Sequence, residues 1–109
     1  MKGPVIGRLR LDNPLVMAPM AGITDLPFRR IVRSFGAALC FTEMISANGL
    51  VRAKERTLRY LASGPDDKPL GVQLFGADPA VLAAAAAAVE AYGADLVDVN
   101  MGCPVKKVV

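Results

Sequence analysis

A parallel α/β architecture of repeating strand–helix units is what this sequence predicts, and three observations carry the prediction. Apolar, strand-like runs begin near residues 15, 38, 70 and 95, at spacings of 23, 32 and 25 residues. The stretches between them carry helix signals and no hairpin turns, so successive strands pair in parallel through right-handed crossovers. The first strand is followed by Ala18-Pro19-Met20-Ala21-Gly22, not by the G-x-G-x-x-G of a dinucleotide-binding sheet. The expected fold is therefore a (β/α)8, or TIM, barrel. A complete one takes roughly 250 residues. The 109 residues are expected to be about its first four βα units, the N-terminal half of a catalytic domain spanning 1–109.

Each element has its own justification. Residues 1–13 alternate small, apolar and basic types broken by Gly3, Pro4 and Gly7, as in a short hairpin or cap. Leu15-Val16-Met17-Ala18 is a continuous apolar run, expected for a strand buried on both faces. Thr24 is placed to cap a helix with Pro27 in its first turn. Phe28, Ile31, Val32 and Phe35 then recur at helical spacing, with Gly36 as the stop. That stripe is read as the core face, and Arg29, Arg30 and Arg33 as a solvated outer face or an RNA contact.

The second strand is Leu39-Cys40-Phe41-Thr42-Glu43, followed by a loop over residues 45–49 and a helix from Leu50 to Leu61 carrying Arg52, Lys54, Arg56 and Arg59. Ser63-Gly64-Pro65-Asp66-Asp67 is a break. Leu70 to Phe75 is the third strand. Asp78 as cap and Pro79 at the first helical position open a third helix, whose alanine run from Ala83 to Ala88 is strong helix former and whose stop is Gly93. Residues 95–100 are the fourth strand.

Composition bounds the function. At 53% hydrophobic and 21% charged the chain is globular, and a net charge of +3 is compatible with nucleic acid without arguing for it. The absence of histidine excludes His catalysis and most zinc sites from this stretch, and no metal is expected. Cys40 and Cys103 lack CxxC spacing and read as reduced thiols of a cytoplasmic protein. No secretory signal opens the chain and no apolar run is long enough to span a bilayer.

Polar residues gather at the carboxyl ends of the strands, where α/β barrels place their chemistry. The first strand ends in Pro19-Met20, the second in Glu43, the third carries Gln73, and the fourth ends in Asn100 with Gly102 and Cys103 just beyond. Alternation puts Gly71, Gln73 and Phe75 on one face and Asp98 with Asn100 on another such face, while Val72, Leu74, Val97 and Val99 face the helices. Gln73 and Asn100 can read the edge of a flavin-like or nucleobase-like heterocycle, or simply satisfy each other in the interior. An ordinary thiol, with a pKa near about 8.5, holds its proton at neutral pH, so Cys103 can act as an acid. With a lowered pKa it would be a nucleophile instead.

Ala18-Pro19-Met20-Ala21-Gly22-Ile23-Thr24-Asp25, Thr42-Glu43-Met44, Val72-Gln73-Leu74 and Asn100-Met101-Gly102-Cys103-Pro104 resemble, in order and spacing, the tRNA-dihydrouridine synthase family, above all the bacterial branch with N-M-G-C-P-x-K-K. The resemblance implies FMN oxidoreductases of a TIM-barrel domain and a C-terminal helical domain, which use NADPH to reduce the C5=C6 bond of particular uridines in tRNA. It implies that Pro19, Met20 and Ala21 line the FMN, that Gln73 bonds the flavin ring, and that Asn100 sits beside flavin and uracil. Cys103 would be the general acid that protonates C5, and Glu43 would lie at the rim near the substrate. The complete enzyme is then expected to be a monomer, and the half-barrel alone to be inactive and to self-associate through its open edges.

Two other readings compete. One is a flavin barrel that reduces a free pyrimidine such as orotate. The other is a non-catalytic RNA-binding fragment using Arg29, Arg30, Arg33, Arg52, Lys54, Arg56, Arg59, Lys106 and Lys107. The second is disfavoured because only six aromatics occur and Phe28, Phe35 and Phe41 read as core.

Overall fold

Leu70–Phe75 (β6) is the central strand of the sheet in the computed structural model, which describes residues 2–103. Before it come a hairpin, β1 (Val5–Ile6) with β2 (Leu9–Arg10), then β3 (Val16–Met17), α1 (Leu26–Ser34), β4 (Leu39–Phe41), β5 (Ile45–Ser46), α2 (Ala47–Val51), α3 (Glu55–Leu58) and a 3-10 turn (Arg59–Leu61). After it come α4 (Pro79–Tyr92) and β7 (Leu96–Val99). β3, β4, β6 and β7 pair in parallel in that order, as the crossovers require. The described sheet is open and forms no closed barrel.

β6 alternates its allegiance. Leu70, Val72 and Leu74 are buried in one core with Ile45, Ala47, Leu50, Leu61, Ala85 and Val89, which joins the sheet to α2 and α4. Gly71 and Gln73 lie on the opposite face. A methyl group at Gly71 would stand 2.4 Å from Cε1 of Phe41, so glycine is what lets that ring lie across the strand. The predicted hairpin is present at residues 5–10, and near it Leu11 packs with Ala38 and Leu39 in a second cluster that Leu9 and Phe41 border. α4 begins and ends as its sequence requires. Asp78 accepts a hydrogen bond from the Ala80 N–H at 2.9 Å, Pro79 occupies the first turn, and Gly93 stops the helix at φ 124°.

Three expectations about the first strand and α1 are corrected. The first strand is not buried on both faces: β3 is an edge strand among the described residues, with Met17 buried and Leu15 and Val16 exposed. The cap of α1 is Asp25, whose carboxylate accepts from the Phe28 N–H at 3.0 Å. Thr24 is instead fully buried, its hydroxyl bonded to the backbone of Met20. The faces of α1 are largely exchanged: Ile31 is 59% and Phe35 85% exposed and Phe28 is exposed too, while Arg29 is only 1% exposed; Val32 is half-buried and Arg30 stays at the surface as expected. Buried Asp67 draws Arg29 and Arg33 inward.

The second strand and the following helix also differ from expectation. Phe41 is opposite Gly71 and Ile45 opposite Leu74, so residues 42–44 face only residues 72–73 across a bulge. Within it the Thr42 N–H donates to the Gly71 carbonyl at 2.9 Å. The span 45–49, expected as loop, is thus a strand continuation and the first residues of α2. The single helix expected from Leu50 to Leu61 is broken at Ala53, which has φ 52°, a conformation that helical backbone does not contain.

Candidate functional site

The bulge and the ends of β6 and β7 converge on one place. Gln73 and Asp98 are partners in register, and the Gln73 Nε2 donates to Asp98 Oδ2 at 2.7 Å. Asn100, just past β7, donates from Nδ2 to Gln73 Oε1 at 3.3 Å. Its Oδ1 turns the other way and accepts from the N–H groups of Gly102 at 3.0 Å and Cys103 at 3.1 Å. Such an Asx-type turn is a common use of asparagine beside glycine. Here it folds the chain back and brings Cys103 to the strand end, half-buried. Pro104, Lys106 and Lys107 lie outside the described residues.

Glu43 is aimed by the bulge. Its Oε1 accepts from the Gly22 N–H at 2.5 Å, which ties the strand end to the loop after β3. That loop is held from the other side as well: the Met20 N–H donates to Thr24 Oγ1 at 3.1 Å and the Met20 carbonyl accepts from the Thr24 N–H at 3.0 Å. The Thr24 carbonyl accepts from Arg29 Nη1 at 2.9 Å, and Arg29 in turn forms a buried pair with Asp67 at 2.8 Å. The segment 19–24 is thus fixed at both ends without a regular element of its own.

A cavity of about 650 Å3 opens between these groups, with Ala21, Gly22, Glu43, Arg56, Tyr60 and Cys103 among its lining. A second cavity of about 480 Å3 shares Glu43, Arg56 and Tyr60 with it and adds Asp25 and Arg59. Of the residues singled out from the sequence, Ala21, Glu43 and Cys103 meet around the larger cavity. Gln73 and Asn100 join them through the hydrogen-bonded turn. Pro19 and Met20 belong to the same loop but do not line either cavity. Cys40 is fully buried in β4, and burial pushes its thiol pKa up. An inert thiol follows.

Sequence reasoning missed Asp98 as a partner of Gln73, although the alternation of β7 already placed it on that face. Tyr60 was missed, and Arg56 was named only within a run of basic residues, because the helix break at Ala53 that precedes them has no sequence signal. Among the described residues no group of three or more His, Cys, Asp or Glu side chains could hold a metal ion, and no helix is long and apolar enough to cross a membrane.

The same residues carry a family match. A family model described as dihydrouridine synthase (Dus) matches residues 16–109. A probable tRNA-dihydrouridine synthase of Rhodobacter capsulatus is 48% identical over 101 residues, covering 92% of this chain and 31% of the relative. A tRNA-dihydrouridine synthase B of Pasteurella multocida is 48% identical over 103 residues, and one of Pseudomonas aeruginosa 45% over 104, each covering 94% of this chain and 31% of the relative. The chain spans a little under a third of the length of these curated relatives. Matched along nearly all of its length, with strand-end Gln73, Asn100 and Cys103 inside the matched span, the chain belongs to the dihydrouridine synthase family.

Proposed function

We propose that the complete protein is a cytoplasmic tRNA-dihydrouridine synthase, FMN- and NADPH-dependent, whose (β/α)8 catalytic barrel has residues 1–109 as its N-terminal half. The observation that carries the reading is the turn in which Asn100 holds the backbone of Cys103 at the rim of a cavity also lined by Glu43 and Ala21.

The donor set suits a flat heterocycle. In the relay each amide uses one of its two N–H bonds, Gln73 toward Asp98 and Asn100 toward Gln73, so each has a second donor for a ring edge. Gln73 and Asn100, with the backbone of Pro19, Met20 and Ala21, would hold the FMN. When bound, the flavin supplies to C6 of uracil the hydride that NADPH provides. Cys103 holds a proton on Sγ and delivers it to C5, so that the C5=C6 bond is reduced by one hydride and one proton. Asn100 orients the uracil, and Glu43 positions the substrate at the rim.

A uridine reaches such a cavity only when its base is extruded from the stack. The flanking phosphates then lie at the mouth, where Arg56 and Arg59 stand exposed without an ion-pair partner among the described residues, beside the ring of Tyr60. Arg29, Arg30 and Arg33 take no part, because Asp66 and Asp67 hold them. The test is direct: full-length protein incubated with unmodified tRNA and NADPH should carry a flavin spectrum and form dihydrouridine, read by mass spectrometry. Turnover of free orotate with no dihydrouridine in tRNA would assign the protein to the free-pyrimidine reading instead.

A further inference from the structure

We infer that Asp98 is a positioning residue which, through the amides of Gln73 and Asn100, fixes the direction of a hydrogen-bond relay that ends on the backbone of Cys103. The argument is one of polarity. As a carboxylate Asp98 only accepts, so the Gln73 amide must turn its NH2 group toward it. Gln73 Oε1 then faces Asn100, which must answer with its own NH2 group. Asn100 Oδ1 is thereby left for the N–H groups of Gly102 and Cys103, which only donate.

The two ends of the relay, acceptor-only at Asp98 and donor-only at the turn, demand the same orientation of both amides. An amide by itself has two nearly isosteric orientations. Reversed, Asn100 would point N–H at N–H, and the turn that presents Cys103 would lose both bonds. Gln73 is almost fully buried, so water cannot easily replace a broken link. This inference rests on the reading of Cys103 as the acid only for its importance to the reaction. The relay itself can be read on the thiol.

The test uses the full-length protein and the alkylation rate of Cys103 by iodoacetamide, located by peptide mass spectrometry. Rates are taken on the high-pH plateau, where the thiol is ionised and added charge nearby matters least. Asp98→Lys replaces the acceptor at that end by a donor, so the Gln73 amide must turn its Oε1 toward it and its NH2 group toward Asn100, and the plateau rate should rise about fivefold or more, the factor that one lost hydrogen bond of ordinary strength brings. Adding Gln73→Glu supplies a carboxylate that accepts both from the new ammonium and from Asn100. The double variant should return to within about twofold of wild type, and Asp98→Asn alone should stay there, since its amide oxygen still accepts from Gln73. A double variant no slower to alkylate than Asp98→Lys alone, or an Asp98→Lys rate equal to wild type, would overturn the inference. Formation of dihydrouridine by the wild-type protein is scored separately, so failure of the relay and failure of the proposed activity are told apart.

Discussion

The arginines of α1 and those around α3 look alike in the sequence and stand in opposite circumstances. Arg29 reaches Asp67 with Nε at 3.0 Å and Nη2 at 2.8 Å, and also bonds the carbonyls of Thr24 and Ala62. Arg33 takes the other oxygen of the same carboxylate at 2.8 Å, while Ser63 donates to the oxygen that Arg29 uses. Arg30 pairs with Asp66 at the surface. Arg56 and Arg59, by contrast, are exposed at the cavities and pair with no carboxylate among the described residues. A positive charge in a sequence does not say whether the fold consumes it. What decides is a carboxylate more than thirty residues away that the topology brings opposite. The inner arginines stabilise the scaffold, and the outer ones keep an uncompensated charge among the described residues.

The comparison breaks most visibly at Asp67. In the full-length protein Asp67→Ala leaves two guanidinium groups without their shared counter-charge, and it should lower the unfolding free energy by about 3–5 kcal/mol in urea titration. Asp66→Ala, at the exposed pair, should leave the urea midpoint close to wild type. Burial pushes the Asp67 carboxyl up, but the hydrogen bond and charge of Arg29, with Ser63 and Arg33, outweigh it and hold the pKa below the ordinary 3.8. A lowered folded value means that the contribution is complete above 3.8 and is lost as pH falls through the folded value. The gap between wild type and Asp67→Ala should therefore narrow only in strong acid. A gap that closes near neutrality would remove the pair from the account.

Effects on the strand-end side should be smaller and of another kind. Gln73→Ala removes one amide at a ring edge, worth about 0.5–1.5 kcal/mol net, and should reduce flavin retention after dialysis while the fold persists. Full flavin occupancy would count against Gln73 as a cofactor contact. The outer arginines should matter least to stability: Arg56→Ala and Arg59→Ala should each reduce the slope of tRNA affinity against salt by about one. Reduction of the flavin by NADPH should be unchanged in both. An unchanged salt slope would place the RNA phosphates elsewhere.

How much of this was legible depended on how local the signal was. β6, α4 and their junctions could be read directly, since Asp78, Pro79 and Gly93 act on neighbours in the chain and the alternation of β6 needs no partner to be seen. Gln73, Asn100 and Cys103 stand out by the same local logic, as polar groups in or just past strands. The face of α1 was misread because hydropathy ranks Phe28, Ile31 and Phe35 as core, while burial of Arg29 is decided by Asp67, 38 residues on. The bulge at residues 42–44 was hidden for a similar reason. It exists only as a mismatch of register between two strands, and its consequence, the aim of Glu43 at Gly22, is a tertiary contact.

The central claim is that Cys103, presented by Asn100, is the acid of uridine reduction. Its most direct test is Cys103→Ala in the full-length protein, with flavin content and dihydrouridine in tRNA measured on the same preparation, and Cys40→Ala as the control for a buried thiol. The account predicts that Cys103→Ala retains its flavin and its reduction by NADPH but forms almost no dihydrouridine, while Cys40→Ala forms it as wild type does. Dihydrouridine at near wild-type levels in Cys103→Ala would contradict it.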